Sequence, residues 1–307
     1  MSKFKTALRL LKSPGKAIIP LASRGLFNWL PDRPYLKMVY RGQLGEKLDL
    51  ETPKKFTEKL QWLKLYSRDP AYHAIVDKYE VKKHVANIIG EQYIIPTLGV
   101  WDDPEMISFE NLPEQFVLKC THDSGSVVIC KDKPSFDPGQ AKEELKKALK
   151  RSTYWFGREW PYKGLKPRII AEPYLEDSEC GELRDYKFFC FDGVVKCYKV
   201  DFDRFISHHA NYYDREGTLV EIGEQVCPPN HSRDIKMPSN ISLMMELAEK
   251  LTQGYPFLRA DFYNVNGNIY FGELTFFPDS GMGVFTYDDN DTLLGSWITL
   301  PEEKKET

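Results

Sequence analysis

Arg259-Ala-Asp-Phe-Tyr-Asn-Val-Asn-Gly-Asn-Ile-Tyr-Phe-Gly-Glu-Leu-Thr-Phe-Phe-Pro-Asp-Ser-Gly281 is the stretch on which the fold turns. Residues 258–263 and 268–276 read as two strands of a hairpin around Asn266-Gly267. Side chains alternate along a strand, so Arg259 and Asp261 share one face, and Glu273 and Thr275 share one face of the partner strand. Whether the two faces coincide depends on the turn. A two-residue Asn266-Gly267 loop pairs 265 with 268 and puts Asp261 and Glu273 on opposite faces. A three-residue loop of Val265, Asn266 and Gly267 with a bulge pairs 264 with 268 and unites them, and this second register is expected. Two carboxylates beside an arginine can hold Mg²⁺ through oxygen while the guanidinium grips a phosphate or acyl phosphate. An exposed hairpin with a surface ion pair would carry the same pattern.

Outward from the hairpin, other segments supply groups suited to phosphate. Lys119 lies in the apolar strand 116–120, just before Ser124-Gly125-Ser126, whose backbone N–H groups can fold over phosphates. Lys187 follows Asp185 two residues on, hence on the same face of a strand. A lone strand lysine is more often an ordinary solvent-facing one. Residues 169–176 run from an apolar strand into a proline-stiffened bend, a hinge that can offer backbone to an adenine edge and Glu172 to a ribose or amine. As an isolated feature the same bend is an ordinary domain crossover.

Between these segments, residues 57–65 suggest a helix, and Asp69-Pro70 opens a helical stretch to about Ile89, closed by Gly90. Residues 93–96 are a short strand candidate, and 127–131 and 168–172 are further strands. Asp137-Pro138 starts a helix that runs to about Arg151. Asp192-Gly193 favours a type I′ turn between strands 186–191 and 194–200, and Ser239 opens a helix ended by Gly254. Turn signals stand at Ser13-Pro14-Gly15 and Pro31-Asp32-Arg33-Pro34. Hairpins with helices between them make the fold class α+β, without the regular strand-helix alternation of a doubly wound sheet.

With 307 residues, 42% of them apolar, the chain can bury a sizeable core. Its net charge of −3 mixes 42 basic with 45 acidic residues, so no global field draws it to nucleic acid. Six cysteines without a C-x-x-C pair suit a reducing cytoplasm, and six histidines without zinc-like spacing predict no structural zinc. No apolar run reaches the roughly 20 residues of a membrane span, and no cleavable signal sequence is read. Phe4, Leu8 and Leu11 form one stripe of a basic helix over residues 1–16, which can rest on an anionic membrane at its inner face or dock on its own domain.

Taken in order, these segments resemble the ATP-grasp superfamily, and more closely the TupA-like family associated with teichuronopeptide and surface-polysaccharide biosynthesis. The closer likeness covers roughly residues 51–300. It is carried by Pro53-Lys-Lys-Phe-Thr-Glu-Lys-Leu-Gln-Trp-Leu63, Asp77-Lys-Tyr79, Lys119-Cys-Thr-His-Asp-Ser-Gly125, Gly157-Arg-Glu-Trp160, Asp185-Tyr-Lys-Phe-Phe189 and Phe271-Gly-Glu-Leu-Thr-Phe276. The resemblance implies an ATP-grasp fold in which two α+β subdomains clamp ATP. Residues 1–50 form an N-terminal helical accessory region, 51–115 a lead-in, 116–175 the small subdomain with its glycine loop, and 176–307 the large subdomain with the metal site.

By the same resemblance, Lys78 is the first phosphate-binding lysine and Lys119 the one before the flap of Ser124, Gly125 and Ser126. Glu172, Tyr174 and Leu175 belong to the adenine hinge. Lys187 stands where related ligases carry a basic residue, binding cofactor and serving catalysis with Arg259 and Arg204. Asp261 and Glu273 are the metal carboxylates, joined by Thr275 where many relatives have asparagine, a better Mg²⁺ ligand than a hydroxyl. Pro278-Asp-Ser-Gly281 resembles the loop that contacts the acceptor. Arg158, Arg204, His208 and Asn211 are polar residues that can either touch substrate or serve surface and packing.

The implied activity is an ATP- and Mg²⁺-dependent carboxylate-amine ligase acting through an acyl phosphate, in the cytoplasm. It would join an amino acid or other amine to a uronic-acid carboxylate of a glycan. A sugar phosphotransferase, a glycosyltransferase and an inactive scaffold in polysaccharide assembly are the alternatives.

Overall fold

In a computed structural model describing residues 14–177, 183–204 and 206–302, the chain builds two sheets whose paired strands are all antiparallel. The smaller contains β1 (Gly99–Trp101), β2 (Phe116–Cys120), β3 (Val127–Cys130) and β4 (Ile169–Pro173), in the order β1-β4-β2-β3. Phe116, Leu118, Ile169 and Ala171 face helix α6 (Pro138–Leu149), and with Leu145 and Ala148 they make a separate small core. The larger sheet contains β5 (Asp185–Phe191), β6 (Val194–Phe202), β7 (His209–Tyr213), β8 (Leu219–Val220), β9 (Leu258–Val265) and β10 (Asn268–Thr275), in the order β10-β9-β5-β6-β7-β8. One face of it is aromatic. Phe188 packs on Phe262 and Tyr198, Phe262 on Phe271, and helix α8 (Ile241–Leu251) adds Met244, Leu247 and Leu251 to the same core. Burying each large apolar side chain contributes about 1.5–3 kcal/mol, so the aromatic face holds the sheet's register against a one-residue slip.

Helices α1 (Pro14–Ser23), α2 (Asp32–Leu44), α3 (Phe56–Tyr66), α4 (Tyr72–Val76) and α5 (Glu80–Ile89) precede the sheets, while α7 (Thr153–Gly157) and α9 (Asn290–Ser296) lie between and after them. Phe56, Leu60, Ile75, Val81 and Val85 join the larger core, so 56–89 pack with the large sheet. Meanwhile β1 pairs with β4 and so belongs to the small sheet. Among the described residues no helix is long and apolar enough to cross a membrane. The amphipathic stripe of Phe4, Leu8 and Leu11 lies outside the described residues.

Several expectations are corrected. The turn signals at Pro14 and at Asp32-Arg33-Pro34 open α1 and α2, because proline is tolerated in a first turn whose N–H groups lack helical partners. The expected single helix from Asp69 to Ile89 is two, broken at Asp77, whose extended backbone lets its carboxylate accept the N–H groups of Tyr79 and Glu80 at 2.9 and 3.0 Å. Residues 93–96 are not a strand: Tyr93 ends a 3₁₀ turn and pairing begins at Gly99. The helix expected from Ser239 begins at Ile241.

The decisive hairpin also differs from expectation, and instructively so. Asn268 pairs with Val265 across a two-residue turn whose residues, Asn266 and Gly267, both have positive φ (51° and 81°). That turn alone would separate the carboxylates. Gly272, however, is an extra residue between the pairs Phe271–Phe262 and Glu273–Asp261, and this bulge restores the phase. The expected union of Asp261 and Glu273 is therefore right and the expected turn wrong.

All five cysteines in the described residues are buried and free. Burial pushes the Cys190 and Cys227 thiols up to about 12 and raises Cys120 and Cys130 as well. A disulfide reagent at pH 8, read by peptide mass mapping, should leave Cys120, Cys130, Cys190, Cys197 and Cys227 unmodified in native protein and label all five in urea. Labelling of any of them before unfolding would contradict this packing.

Candidate functional site

The bulged hairpin puts Arg259, Asp261, Glu273 and Thr275 on the face of the large sheet opposite its aromatic core. Arg259 Nε and Nη2 donate to the two oxygens of Asp261, both at 2.7 Å, and Nη2 reaches Glu273 Oε1 at 3.0 Å and Thr275 Oγ1 at 3.2 Å. Cross-strand pairing extends this row from Glu273 through Asp261 on β9 and Lys187 on β5 to Lys199 on β6. Lys187 Nζ lies 3.0 Å from Asp185, 3.1 Å from Asp201 and 3.4 Å from Asp261. Lys199 is paired with Glu224 at 2.5 Å. Burial by itself lowers a lysine, but Asp185, Asp261 and Asp201 together hold Lys187 above its ordinary value.

Facing this row across a cleft are the cations of the small sheet and of α5. Lys119 on β2 and Lys82 on α5 each contact one oxygen of Glu172 on β4, at 2.6 and 2.5 Å. Burial raises the Glu172 carboxyl, and the two ammonium groups outweigh it and hold the group below its usual value. Lys78 sits at the break between α4 and α5. Its backbone N–H donates to Thr121 O at 3.1 Å and its ammonium to Asp123 O, while the Asp77 carboxylate ties the same corner to Thr121 and Arg168.

A cleft of about 150 Å³ brings together Lys78, Lys119, Ser124, Gly125, Glu172 and Glu273 from the expected set. It also has walls the sequence did not reveal, among them Lys82, Ile94, Ile95, Tyr263, Phe271 and Gly272. Lys82 had a signal in hindsight, since it stands four residues after Lys78 and helical spacing can return it to one side. Ile94 and Ile95 had none, because only the chain path after α5 brings them there. Gly125 has φ +94° and no heavy atom within 4 Å of where a Cβ would stand, so the loop is open to a ligand. Glu273 faces this space with a side chain 47% exposed, whereas Asp261 is 2% exposed. Partial desolvation raises Glu273, but Arg259 first, then Lys187 and Lys78, hold it below the usual carboxylate value.

The remaining candidates lie elsewhere. Ser126 does not line the cleft; its hydroxyl is used on Asp123 and accepts the Cys120 N–H. Tyr174 carries the Lys131 ammonium 5.1 Å over its ring, and it and Leu175 stand outside the cleft wall. Arg204 pairs with Asp185 and with Asp201 at 3.4 Å, behind Lys187. Thr275 donates to Glu273 Oε1 at 3.2 Å while accepting from Arg259. Arg158 is structural: buried, 4.3 Å over the Tyr35 ring, it donates to the carbonyls of Phe27, Asn28 and Leu30. Asn211 exchanges two hydrogen bonds with the backbone of Asn230.

Asp201, His208 and Cys227 gather three metal-type donor atoms within 4.8 Å of one another, which the histidine spacing did not suggest. The Lys199 ammonium, however, already lies 4.0 Å from Asp201 Oδ1 and 3.8 Å from Cys227 Sγ, supplying positive charge there.

The family model described as TupA-like ATPgrasp matches residues 58–299. No curated protein matches the chain. Among solved structures it is similar to the ATP-grasp ligase PsnB in complex with a minimal precursor, at 14% identity over 71% of this chain and 58% of that one, with a TM-score of 0.39. It is also similar to the D-cycloserine synthetase DcsG (18% identity, 67% and 64% covered, TM-score 0.36). D-alanine-D-alanine ligase from Helicobacter pylori is a third (14% identity, 80% and 70% covered, TM-score 0.39). The chain thus spans less than two thirds of the length of the first two.

Removing the charge at Glu172 tests the cationic side of the cleft. Glu172→Gln leaves Lys82 and Lys119 without a counterion and should lower folding stability by about 3 kcal/mol near neutral pH, the scale for breaking a buried pair from one side. Because the folded carboxyl titrates below 4.5, its contribution is full above that pH and is lost as pH falls through the folded value. Urea melts of the two proteins should therefore differ most above pH 5 and converge in acid. An equal difference at pH 3 and pH 7 would refute the assignment.

Proposed function

Because the chain belongs to the TupA-like ATP-grasp family, we propose that it is an ATP- and Mg²⁺-dependent ligase that joins a carboxylate to an amine through an acyl phosphate. One observation carries this proposal. Lys78, Lys82 and Lys119 from one side and Glu273 from the other converge on a single cleft beside an open glycine loop. Three ammonium groups against the carboxylates of Glu172 and Glu273 leave the cleft lining with one excess positive charge, which suits a polyphosphate.

The residues also fit a divalent cation. Glu273 offers an oxygen to the cleft, and the Asp261 oxygens, each accepting one bond from Arg259, keep lone pairs of their own. The Thr275 hydroxyl is shared between Arg259 and Glu273, a poorer donor than an amide carbonyl. Bound Mg²⁺ would neutralise phosphate charge. The chain itself does the positioning. The lysines hold phosphate oxygens, the N–H groups of Ser124 and Gly125 cover them, and Ile94, Ile95 and Phe271 offer apolar wall, while Arg259, behind the cleft wall, acts through the Glu273 carboxylate that it holds.

At about 150 Å³ the cleft falls below the roughly 300–1,000 Å³ of small-molecule sites, so a whole nucleotide needs a wider opening than this arrangement gives. A carboxylate then attacks the γ-phosphorus of ATP, ADP leaves, and an amine displaces phosphate from the acyl phosphate to form the amide. The family's association with surface polysaccharide supports a uronic acid as the carboxylate and an amino acid as the amine. A cytoplasmic location at the inner face of the membrane completes the proposal, supported by the buried free thiols.

ADP release from ATP and Mg²⁺ should require both a carboxylated sugar and an amine when uronic acids are screened against amino acids. Release with a neutral sugar alone would replace the ligase by a phosphotransferase. Lys119→Ala and Glu273→Ala should each lower that rate about 10²–10³-fold, the effect of losing one preorganised charge, with far-UV circular dichroism unchanged. Wild-type rates in both variants would remove the cleft from the chemistry.

A further inference from the structure

The N-terminal block of the chain takes no part in the nucleotide cleft, and its charge and its apolar surface both set it apart from the rest. Residues 1–31 carry six basic side chains (Lys3, Lys5, Arg9, Lys12, Lys16 and Arg24) and no acidic one, in a chain whose net charge is −3. Lys3, Lys5, Arg9 and Lys12 precede the described residues and count here by sequence alone. The first acid, Asp32, is already used within the fold: Arg68 reaches it at 2.6 Å, the Tyr154 hydroxyl at 2.9 Å and Arg158 at 3.4 Å.

The described part of the block has an inner and an outer apolar side. After α1 the backbone turns at Gly25, with φ +79°, and continues through residues 26–31. Ile19, Ala22, Phe27 and Leu30 join the large core. Leu21, Leu26 and Trp29 face water instead, 39%, 57% and 77% exposed, and Arg24 between them in sequence is exposed as well. The Leu26 N–H donates to Leu21 O at 3.2 Å, so the two leucines adjoin. Arg158, from the Gly157-Arg-Glu-Trp160 motif, adds a fourth member. Its guanidinium donates to Phe27 O, Asn28 O and Leu30 O at 3.3, 3.1 and 3.2 Å and lies 4.9 Å over the ring of Trp155, itself 41% exposed. One buried cation thus ties the turn that carries Trp29 to the second exposed tryptophan. Apolar side chains scattered singly on a surface are ordinary, whereas two tryptophans and two leucines on one scaffold are not.

We infer that this face docks the protein on an anionic lipid bilayer, with Leu21, Leu26, Trp29 and Trp155 entering the headgroup boundary and the basic residues of 1–31 meeting lipid phosphates. This rests on the membrane location proposed above, to which it gives a surface, and it is independent of the ligase chemistry. Tryptophan suits that boundary because its ring is apolar while its N–H still meets water. Neither signal suffices alone, since a few apolar anchors or a few basic residues bind lipid weakly, and the two together give a stable, reversible contact. Among the described residues no helix can cross the bilayer, so the contact lies along its surface. The unbroken positive sign favours lipid over a second copy of this chain, whose identical face would repel it.

The experiment sediments the full chain with vesicles of phosphatidylcholine, with and without phosphatidylglycerol, at 0.1 M and 0.5 M salt. Wild-type protein should bind the anionic vesicles alone and lose about tenfold in affinity at the higher salt, where screening shortens the reach of charge. Leu26→Glu/Trp29→Glu should weaken binding by about tenfold or more, and Arg24→Gln by roughly fivefold. Far-UV circular dichroism and the urea midpoint should not change, because these side chains already face water. Lipid with brominated acyl chains should quench tryptophan emission in wild type and leave the emission of Trp29→Phe/Trp155→Phe untouched. Undiminished binding by the glutamate variant, or quenching that survives loss of both tryptophans, would overturn this surface and leave the membrane location standing. Equal binding to neutral vesicles would overturn the part given to charge, and with it the anionic partner. A dimer that the glutamate variant abolishes would hand the face to a second copy and overturn the inference. No binding to any vesicle would sink the membrane location as well, and none of these outcomes touches the ADP-release test of the ligase.

Discussion

An ammonium group kept from water among three carboxylates, Lys187 with Asp185, Asp201 and Asp261, is the constraint to which the large sheet is built. None of these groups could be buried alone, because desolvating a lone charge costs several kcal/mol even after relaxation. Each is tolerated because sheet register sets an opposite charge beside it. Lys187 lies across from Asp261, and Asp261 across from Glu273. A slip of one residue would turn Phe188 and Phe262 onto the charged face and the charges into the aromatic core. The acidic pair of the hairpin thus owes its place to the same register that makes the core.

The two sheets divide the labour. The large sheet carries acids steadied by Arg259 and Lys187, and the small sheet carries cations steadied by Glu172. Opposite signs on two separately cored bodies make a site that a polyanion and a divalent cation can join. Without such ligands, Glu172 provides the balance that keeps Lys82 and Lys119 from repelling each other in a half-buried space. Asp77 links the halves, because it ends α4, caps α5 and binds Thr121 at the end of β2, so Lys78 stands where helix, strand and loop meet.

On the other flank, α3 spends polar residues in its buried interior to hold a single loop. Lys64 is fully buried, and burial lowers it to about 8, against the pull of Glu159. Its donors go to Ser280 O, Gly157 O and Gln61 Oε1, so the charge is spread over oxygens rather than left bare. Two left-handed residues at roughly 1–2 kcal/mol each are thereby kept in place. A core built only for stability would use apolar residues here, so the arrangement points to a loop whose shape matters.

From the sequence alone came the α+β class, most strand positions, the family, the sharing of a face by Arg259 and Asp261, and the loop after Lys119. Those features rest on alternation, turn residues and local order, which act over a few residues and are written in the chain. The hairpin phase was not legible in full, because Asn266-Gly267 announces its turn while nothing local announces a bulge at Gly272. Lys82, Ile94, Ile95 and the Lys64 clamp escaped as well, for their partners lie across the fold: Lys82 meets Glu172, and Lys64 meets Gly157 and Ser280. Only tertiary structure decided which lysines face the cleft and which, like Lys187, are enclosed by carboxylates, because the partner of a charge is chosen by packing between distant segments.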